Sequence, residues 1–286
     1  RGEGLGNKFL SHIREVDAVV HVVRCFEDEN VIHVDGTIDP ARDIETIQTE
    51  LILADLETVG RREDRARKLV KNGESKMAEE LSAAEKLTSH LNAGQPARTA
   101  PLTDGEREAA DMWFLLTMKP VLYAANISED QLGADSSRLP QVEKVREVAL
   151  REGAKLMVIS AKVEEEIAQL PSEEKRMFLQ EMGIGSSGLD RLVRTSYDLL
   201  GLISFLTAGP KEVRAWTIKR GTRAPQAAGK IHTDFEKGFI RAEIVEFEAL
   251  RREGSMAACR EKGLIRLEGK EYVMKDGDVT LFRFNV

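Results

Sequence analysis

Apolar positions along the chain follow three different rhythms. Residues 42–71 are charged apart from one stripe carrying Ile44, Ile52, Leu56, Val59 and Ala66, which predicts a long amphipathic helix. Asn72-Gly73 breaks it, and Met77, Leu81, Ala84, Leu87 and Leu91 then recur at three- and four-residue steps, predicting a second helix that folds back on the first. Residues 94–101 form a linker. Short, mostly apolar runs at 18–25, 121–125 and 156–159 predict buried strands, and the helical stretch 141–151 between the last two gives a βαβ order. Met112, Trp113, Leu115 and Leu116 are expected to pack as the chain returns to the core through 104–118, and 189–200 reads as a closing helix. Beyond Ser204 the rhythm shortens: 216–219 and 239–244 read as strands, and Asp276-Gly277 as a hairpin signal before 279–286. At the other end, 1–15 opens with Gly2, Gly4 and Gly6 as a mobile loop and runs into an amphipathic helix. The expected fold class is α/β, with a helical hairpin inserted in a sheet domain and a small α+β domain at the C-terminal end.

Composition narrows the class of protein. At 286 residues the chain exceeds the usual single domain, and 42% hydrophobic with 32% charged residues is globular. Cys25 and Cys259 offer neither a disulfide framework nor zinc-ligand spacing, which suits a reducing compartment. No apolar run is long enough to span a membrane, and the first residues lack a signal-peptide core, so the cytoplasm is expected and no membrane partner. Charge is unevenly placed. Residues 204–286 hold 16 Lys plus Arg against 12 Asp plus Glu, a net of +4, and the total of −7 leaves −11 for the remainder.

Candidate chemistry lies where the strands end, because ligands of open α/β sheets sit beyond the carboxyl ends of the strands. Residues 126–129 read Asn-Ile-Ser-Glu just after the 121–125 run. In a guanine-reading loop of the form Asn-Lys-x-Asp, the Asn holds the purine edge and a short carboxylate accepts two guanine N–H groups. Here Ile127 replaces Lys and Glu129 replaces Asp. An apolar side chain packs on a purine face, whereas a carboxylate one methylene longer is misplaced for the guanine donors, so the loop suits adenine better. An ordinary turn of Asn and acids is the competing reading. Ser160, Ala161 and Lys162 end the next strand, where backbone N–H groups approach a base.

Between 211 and 241, Lys211, Arg214, Lys219, Arg220, Arg223, Lys230, Lys237 and Arg241 face only Glu212, Asp234 and Glu236, a local net of +5 that fits a phosphate-contacting surface. Trp216 and Phe235 are candidates for stacking on bases, with core packing the stronger reading for Trp216. His232, Asp234 and Glu236 alternate, but a polar edge or turn explains them better than a metal, and no metal ligand set is expected in the chain. His12, on the amphipathic helix, is expected to be a packed or surface residue.

On these residues the chain resembles the Obg-like ATPase (YchF) family of P-loop proteins over essentially its whole length. The segments carrying the resemblance are 2–15, 21–26, 126–129, 160–162 and 207–241. Within the last, 207–216 together with 277–279 is similar to the TGS module, a β-grasp domain associated with RNA and ribosome regulation. The resemblance implies a nucleotide-binding domain over 1–40 and 103–203, a coiled-coil insertion over 41–102 and a TGS domain over 204–286. It implies ATP bound with Mg²⁺ and hydrolysed to ADP through positioning and charge stabilisation, with no covalent step. Asn126, Ile127 and Glu129 would then shape the adenine pocket, Ser160, Ala161 and Lys162 would close it, and Gly2, Gly4 and Gly6 would be the tail of a switch that answers the γ-phosphate. The ribosome or its RNA is the implied partner, and the helical arm is either a plain solvated arm or a site for a protein partner.

The family's GxxxxGK[ST] loop occurs nowhere in the 286 residues, and no Gln lies within 1–15 to orient an attacking water. No catalytic residue is identified, the Mg²⁺ ligands are expected outside these residues, and the sheet domain is expected to be incomplete. The chain alone is expected not to hydrolyse ATP. Two alternatives stay open: a GTPase of the same fold, and a non-enzymatic binder of RNA or the ribosome.

Overall fold

A computed structural model of the chain describes residues 3–28, 36–133, 135–209 and 212–285. They form two compact units, Arg1–Ser196 and Tyr197–Val286.

In the first unit, helix α1 (Glu3–Glu15) precedes strand β1 (Val19–Arg24), then α2 (Pro40–Lys71), α3 (Ala78–Asn92), α4 (Asp104–Asp111), β2 (Val121–Asn126), α5 (Pro140–Glu152), β3 (Lys155–Ile159), α6 (Ala161–Gln169), α7 (Ser172–Glu181) and α8 (Gly188–Leu199). The strands pair in parallel in the order β1-β2-β3, so their carboxyl ends, including Arg24, Asn126 and Ile159, come to one edge. One face of this sheet buries Val23, Tyr123 and Ala125 against Val142, Val145 and Ala149 of α5. Helices α2 and α3 form the expected antiparallel hairpin. Val59, Ala66, Ala83, Ala84 and Leu87 are fully buried in it, and small side chains at three of those positions let the two backbones approach closely. Gly73 turns the chain with φ of +92°, a conformation that glycine adopts without penalty.

Three expectations about this unit change. The N-terminal glycines do not lie in a loop, since α1 starts at Glu3 and takes Gly4 and Gly6 into the helix; Gly2 falls outside the described residues. Leu10 and Ile13 are half-buried on this helix while Phe9 is 54% exposed. Strand β1 is only half buried, because it lies at the sheet edge and leaves Val20 and Val22 exposed among the described residues. Met112 is 68% exposed while its neighbours Trp113, Leu115 and Leu116 pack as expected. Helix α4 ends at Asp111, and the positive φ of Phe114 turns the chain so that alternate side chains face outward.

The second unit holds β4 (Leu202–Ala208), β5 (Val213–Lys219), α9 (Ala224–Gly229), α10 (Thr233–Lys237), β6 (Phe239–Glu246), α11 (Phe247–Glu253), α12 (Met256–Glu261), β7 (Arg266–Glu268) and β8 (Asp278–Phe284). Its sheet runs β5-β4-β8-β6-β7, with β4 and β8 parallel and the other pairs antiparallel. Phe205, Ile218, Phe239, Ile244 and Phe282 pack against Ala224, Ala227 and Ala228 of α9. Asp276-Gly277 does not close a hairpin. Gly277 has φ of +79°, its N–H donates to the Ser204 carbonyl at 2.9 Å, and the Ser204 N–H donates to Asp276 Oδ1 at 2.8 Å, so the turn sets β8 beside β4 instead. Strand β4 is not among the sequence expectations, although Gly201, with φ of +62°, ends the preceding helix just before its Leu-Ile-Ser-Phe-Leu-Thr-Ala run.

Candidate functional site

At the carboxyl edge of the parallel sheet lies a cavity of about 400 Å³. Asn126, Ile127, Ser128 and Glu129 from the loop after β2 line it, together with Ser160 and Lys162 at the start of α6 and Phe26, Glu27 and Asp28 after β1. Parallel register places these loops side by side: the Cys25 N–H donates to the Asn126 carbonyl at 2.8 Å, and the Ile127 N–H donates to the Ile159 carbonyl at 2.8 Å. The sheet pairing therefore continues one residue beyond β1 and β2 and fixes the base of the cavity.

Asn126 ties the two loops to each other. Its Oδ1 accepts the Ala161 N–H at 2.9 Å. Residues 160–162 begin a helix, and the Ala161 N–H is donated to Asn126. Ile127 is 4% exposed and packs in the sheet core with Tyr123 and Val142, while also lining the cavity. Glu129 is not a free carboxylate. Lys162 Nζ donates to its Oε2 at 2.6 Å, and this partner raises the lysine's pKa. Both side chains are more than half exposed, so the pair is a screened one that orients groups at the mouth.

Ser160 differs from its neighbours. It is buried, it lines the cavity, and its Oγ has no hydrogen-bond partner among the described residues. A buried hydroxyl left without a partner costs of the order of 1–3 kcal/mol unless a ligand or water meets it. Phe26, Glu27, Asp28 and Asp130 also reach the cavity. Composition gave no hint of them, and the available signal was the parallel sheet itself, which brings the residues after β1 beside those after β2. The Arg24 guanidinium lies 4.8 Å from the centre of the Phe26 ring and holds the start of that segment.

Of the glycines expected to belong to a switch, Gly4 and Gly6 lie in α1 and are not among the residues lining the cavity, and Gly2 falls outside the described residues. His12 is exposed on the same helix. Among the described residues no three His, Cys, Asp or Glu side chains gather as a metal site; His232 instead caps α10, its Nδ1 accepting the Asp234 N–H at 3.2 Å. Cys25 and Cys259 are both free and buried, and burial pushes the Cys25 thiol up to about 12.

The basic residues of the second unit separate into two groups. Arg214 lies 4.2 Å over the Trp216 ring, Arg220 is within 4.0 Å of Asp198, and Arg223 pairs with Glu271 at 2.8 Å. Lys219, Lys230, Lys237 and Arg241 make no ion pair among the described residues, while Lys211 falls outside them. Neither candidate aromatic is free for stacking. Trp216 lies between Arg214 and Phe205 with its Nε1–H donated to Thr207 Oγ1 at 2.9 Å, and Phe235 stacks on Phe284 at 3.8 Å between ring centres.

Known proteins resemble the chain along its length. A family model named YchF-GTPase_C, described as a protein of unknown function (DUF933), matches residues 202–285. The "Ribosome-binding ATPase YchF" of Bacillus subtilis is 54% identical over all of this chain and 78% of its own length. "Obg-like ATPase 1" of Oryza sativa subsp. japonica is 42% identical, over all of this chain and 72% of its own. Among solved structures, the Schizosaccharomyces pombe YchF GTPase superposes with a TM-score of 0.86 at 37% identity, over 98% of this chain and 75% of that one.

Proposed function

The chain belongs to the YchF, or Obg-like ATPase, family, and from that premise we propose how its residues serve a ribosome-associated ATPase. Intact, the protein is a nucleotide-binding hydrolase that converts ATP to ADP and acts with the ribosome. In our reading residues 1–40 and 103–203 are its nucleotide domain, 41–102 its coiled-coil arm and 204–286 its TGS domain. The parallel sheet built from both sides of the helical hairpin and the family match from residue 202 support this division.

The cavity beyond β1, β2 and β3 binds the adenine base. Asn126 locks the loops, the buried Ser160 hydroxyl answers one polar edge of the base, Ile127 supplies a small apolar edge, and Ala161 acts by holding Asn126. The observation that carries the adenine assignment is the Glu129–Lys162 ion pair. Guanine presents two N–H donors that need an undivided carboxylate, and here that carboxylate is both longer than Asp and already occupied by an ammonium group. Adenine makes no such demand. The fission yeast relative is named a GTPase and the bacterial ones ATPases, so base preference is the property that decides between the two readings.

Magnesium accompanies ATP in this class of chemistry. The described residues supply no ligand set for it, and no step is derived through it. What these residues do is bind and orient the base. We further propose that the protein works in the cytoplasm, that Lys219, Lys230, Lys237 and Arg241 contact ribosomal RNA, and that the helical arm carries a protein partner. No helix among the described residues is long and apolar enough to cross a membrane.

Affinities for ATP and GTP measured side by side on the full-length protein test the pocket. ATP is expected to bind more tightly, and Glu129→Asp to move the ratio toward GTP by about tenfold, or ~1.4 kcal/mol. Equal or GTP-favouring affinity in the parent protein would establish the GTPase reading in its place. Ile127→Lys is a poor partner for this test, because it drives a charge into the sheet core.

A further inference from the structure

A larger concavity, of about 720 Å³, opens beside the free edge of β3, between the loop that follows β2, residues 183–186 and α8. Its volume lies in the range that holds a small organic molecule. Arg146 of α5 and Arg191 and Arg194 of α8 line it, and among the described residues no Asp or Glu does, although residues 1–203 carry a net charge of −11. Three guanidiniums without a lining carboxylate, in the acidic part of the chain, need an explanation other than general surface charge.

Structural bonds account for part of it. One terminal nitrogen of Arg191 donates to the Val158 carbonyl at 3.0 Å and so caps the open strand edge, but its Nε is buried and has no hydrogen-bond partner. Arg146 donates to Glu143 at 2.9 Å and to Ser136 Oγ at 3.2 Å, and Glu143 stands outside the lining. Arg194 makes no ion pair among the described residues. Of the nearby acids, Asp190 is bonded to Ser187 and lies within electrostatic reach of Arg194, and Asp135 is bonded to Ser137 and lies within reach of Arg146; neither lines the concavity. The N-terminal amides of α8 are not available, because Gly188 and Leu189 donate theirs to Glu164 at 2.6 and 3.2 Å. A negative group here would therefore be met by arginine side chains, which suit phosphate oxygens through paired N–H donors. The half-buried Leu139, Leu156, Val158 and Ile184 supply apolar lining.

We propose that this concavity binds a small organic phosphate, its phosphate or diphosphate head on Arg146, Arg191 and Arg194 and its apolar or aromatic body on Leu139, Leu156, Val158 and Ile184. It is separate from the base cavity, sharing only Ile127 among the lining residues. Binding of the head does not depend on the adenine assignment.

The probe is inorganic pyrophosphate, titrated calorimetrically into full-length protein whose nucleotide site is saturated with a non-hydrolysable ATP analogue. Backbone hydrogen exchange over residues 183–195 is followed in parallel. One saturable equivalent is expected, with slowed exchange in that stretch. Arg194→Glu and, separately, Arg146→Ala are expected to weaken it about tenfold or more while leaving the affinity for the ATP analogue unchanged. Arg194 is exposed and its replacement leaves the Val158 cap intact, so loss of binding there does not reflect unfolding. Absence of binding at millimolar pyrophosphate, or binding that both variants leave intact, overturns the proposal. So does a single-stranded RNA oligonucleotide that occupies the same residues more tightly than pyrophosphate, which would make the concavity a polynucleotide site.

Discussion

Asn126 does two jobs with one side chain, and they are separable. Its Oδ1 fixes the start of α6 through the Ala161 N–H, which leaves its amide nitrogen for a ligand. Asn126→Ala removes the tie between the loops as well as a ligand contact, so it is expected to weaken ATP and GTP alike by about tenfold or more, an effect of ~1.4 kcal/mol or above. Glu129→Asp instead changes their ratio, and equilibrium binding of both nucleotides to the two variants distinguishes positioning from selection. A change of ratio in Asn126→Ala would assign it a base-selective contact. The identity of this loop was legible in the sequence because Asn after an apolar run is a local signal. What Ile127 and Ala161 do was not. Ile127 belongs to the core because the sheet pairing extends past Asn126, and the Ala161 amide is consumed by a residue 35 positions away in sequence; both depend on strand register, which no local pattern displays.

Among the helices, Glu106 joins two elements that sequence pattern had treated separately. It closes a capping box at the start of α4 with Thr103, and it receives Ser82 Oγ at 2.6 Å and the Lys86 ammonium at 2.7 Å from α3. Lys86, then Ser82 and the Thr103 N–H, hold its carboxyl at about 2 against an ordinary value of 4.5. A carboxylate whose pKa is depressed on folding contributes stability above its unfolded value and loses it as pH falls through the folded one. Thermal stability of the hairpin and α4 is therefore expected to decline between about pH 4.5 and 2, and Glu106→Gln is expected to flatten that decline while lowering stability at neutral pH. Melting curves of both proteins across this window provide the check; parallel pH profiles would remove Glu106 from the account. Asp55 does not add to the loss. Burial raises its pKa, opposed by the N–H groups of Thr117 and Leu116 and the Thr117 hydroxyl, so acid titrates it in the direction that favours the folded state. The hairpin helices themselves were readable from their stripes, whereas Glu106 was hidden, since a charged residue in a charged sequence shows nothing of the partner that buries it.

Across the whole chain the uneven charge acquires a more limited meaning than the sequence alone suggested. Of the eight cations between 211 and 241, Arg214, Arg220 and Arg223 have carboxylate partners and Arg214 also lies over Trp216, Lys211 falls outside the described residues, and Lys219, Lys230, Lys237 and Arg241 make no ion pair among the described residues. With Trp216 and Phe235 both stacked internally, RNA would be held by phosphate contacts rather than by bases. Such binding is driven by counterion release, so it depends steeply on salt and weakly on sequence. Each single-strand phosphate contact contributes a slope of about −0.7 in log affinity against log salt, and replacing the four free cations by Gln is expected to reduce the slope by up to about 3. Replacing Arg220 and Arg223 instead should change it less, because each shares an exposed ion pair with a carboxylate of the unit. Titration of the full-length protein with ribosomal RNA fragments at several salt concentrations, with both variant sets, separates these cases. An unchanged slope in the fourfold variant would move the RNA-contacting surface away from this unit, and equal losses in both sets would show that net charge rather than these four positions governs the encounter.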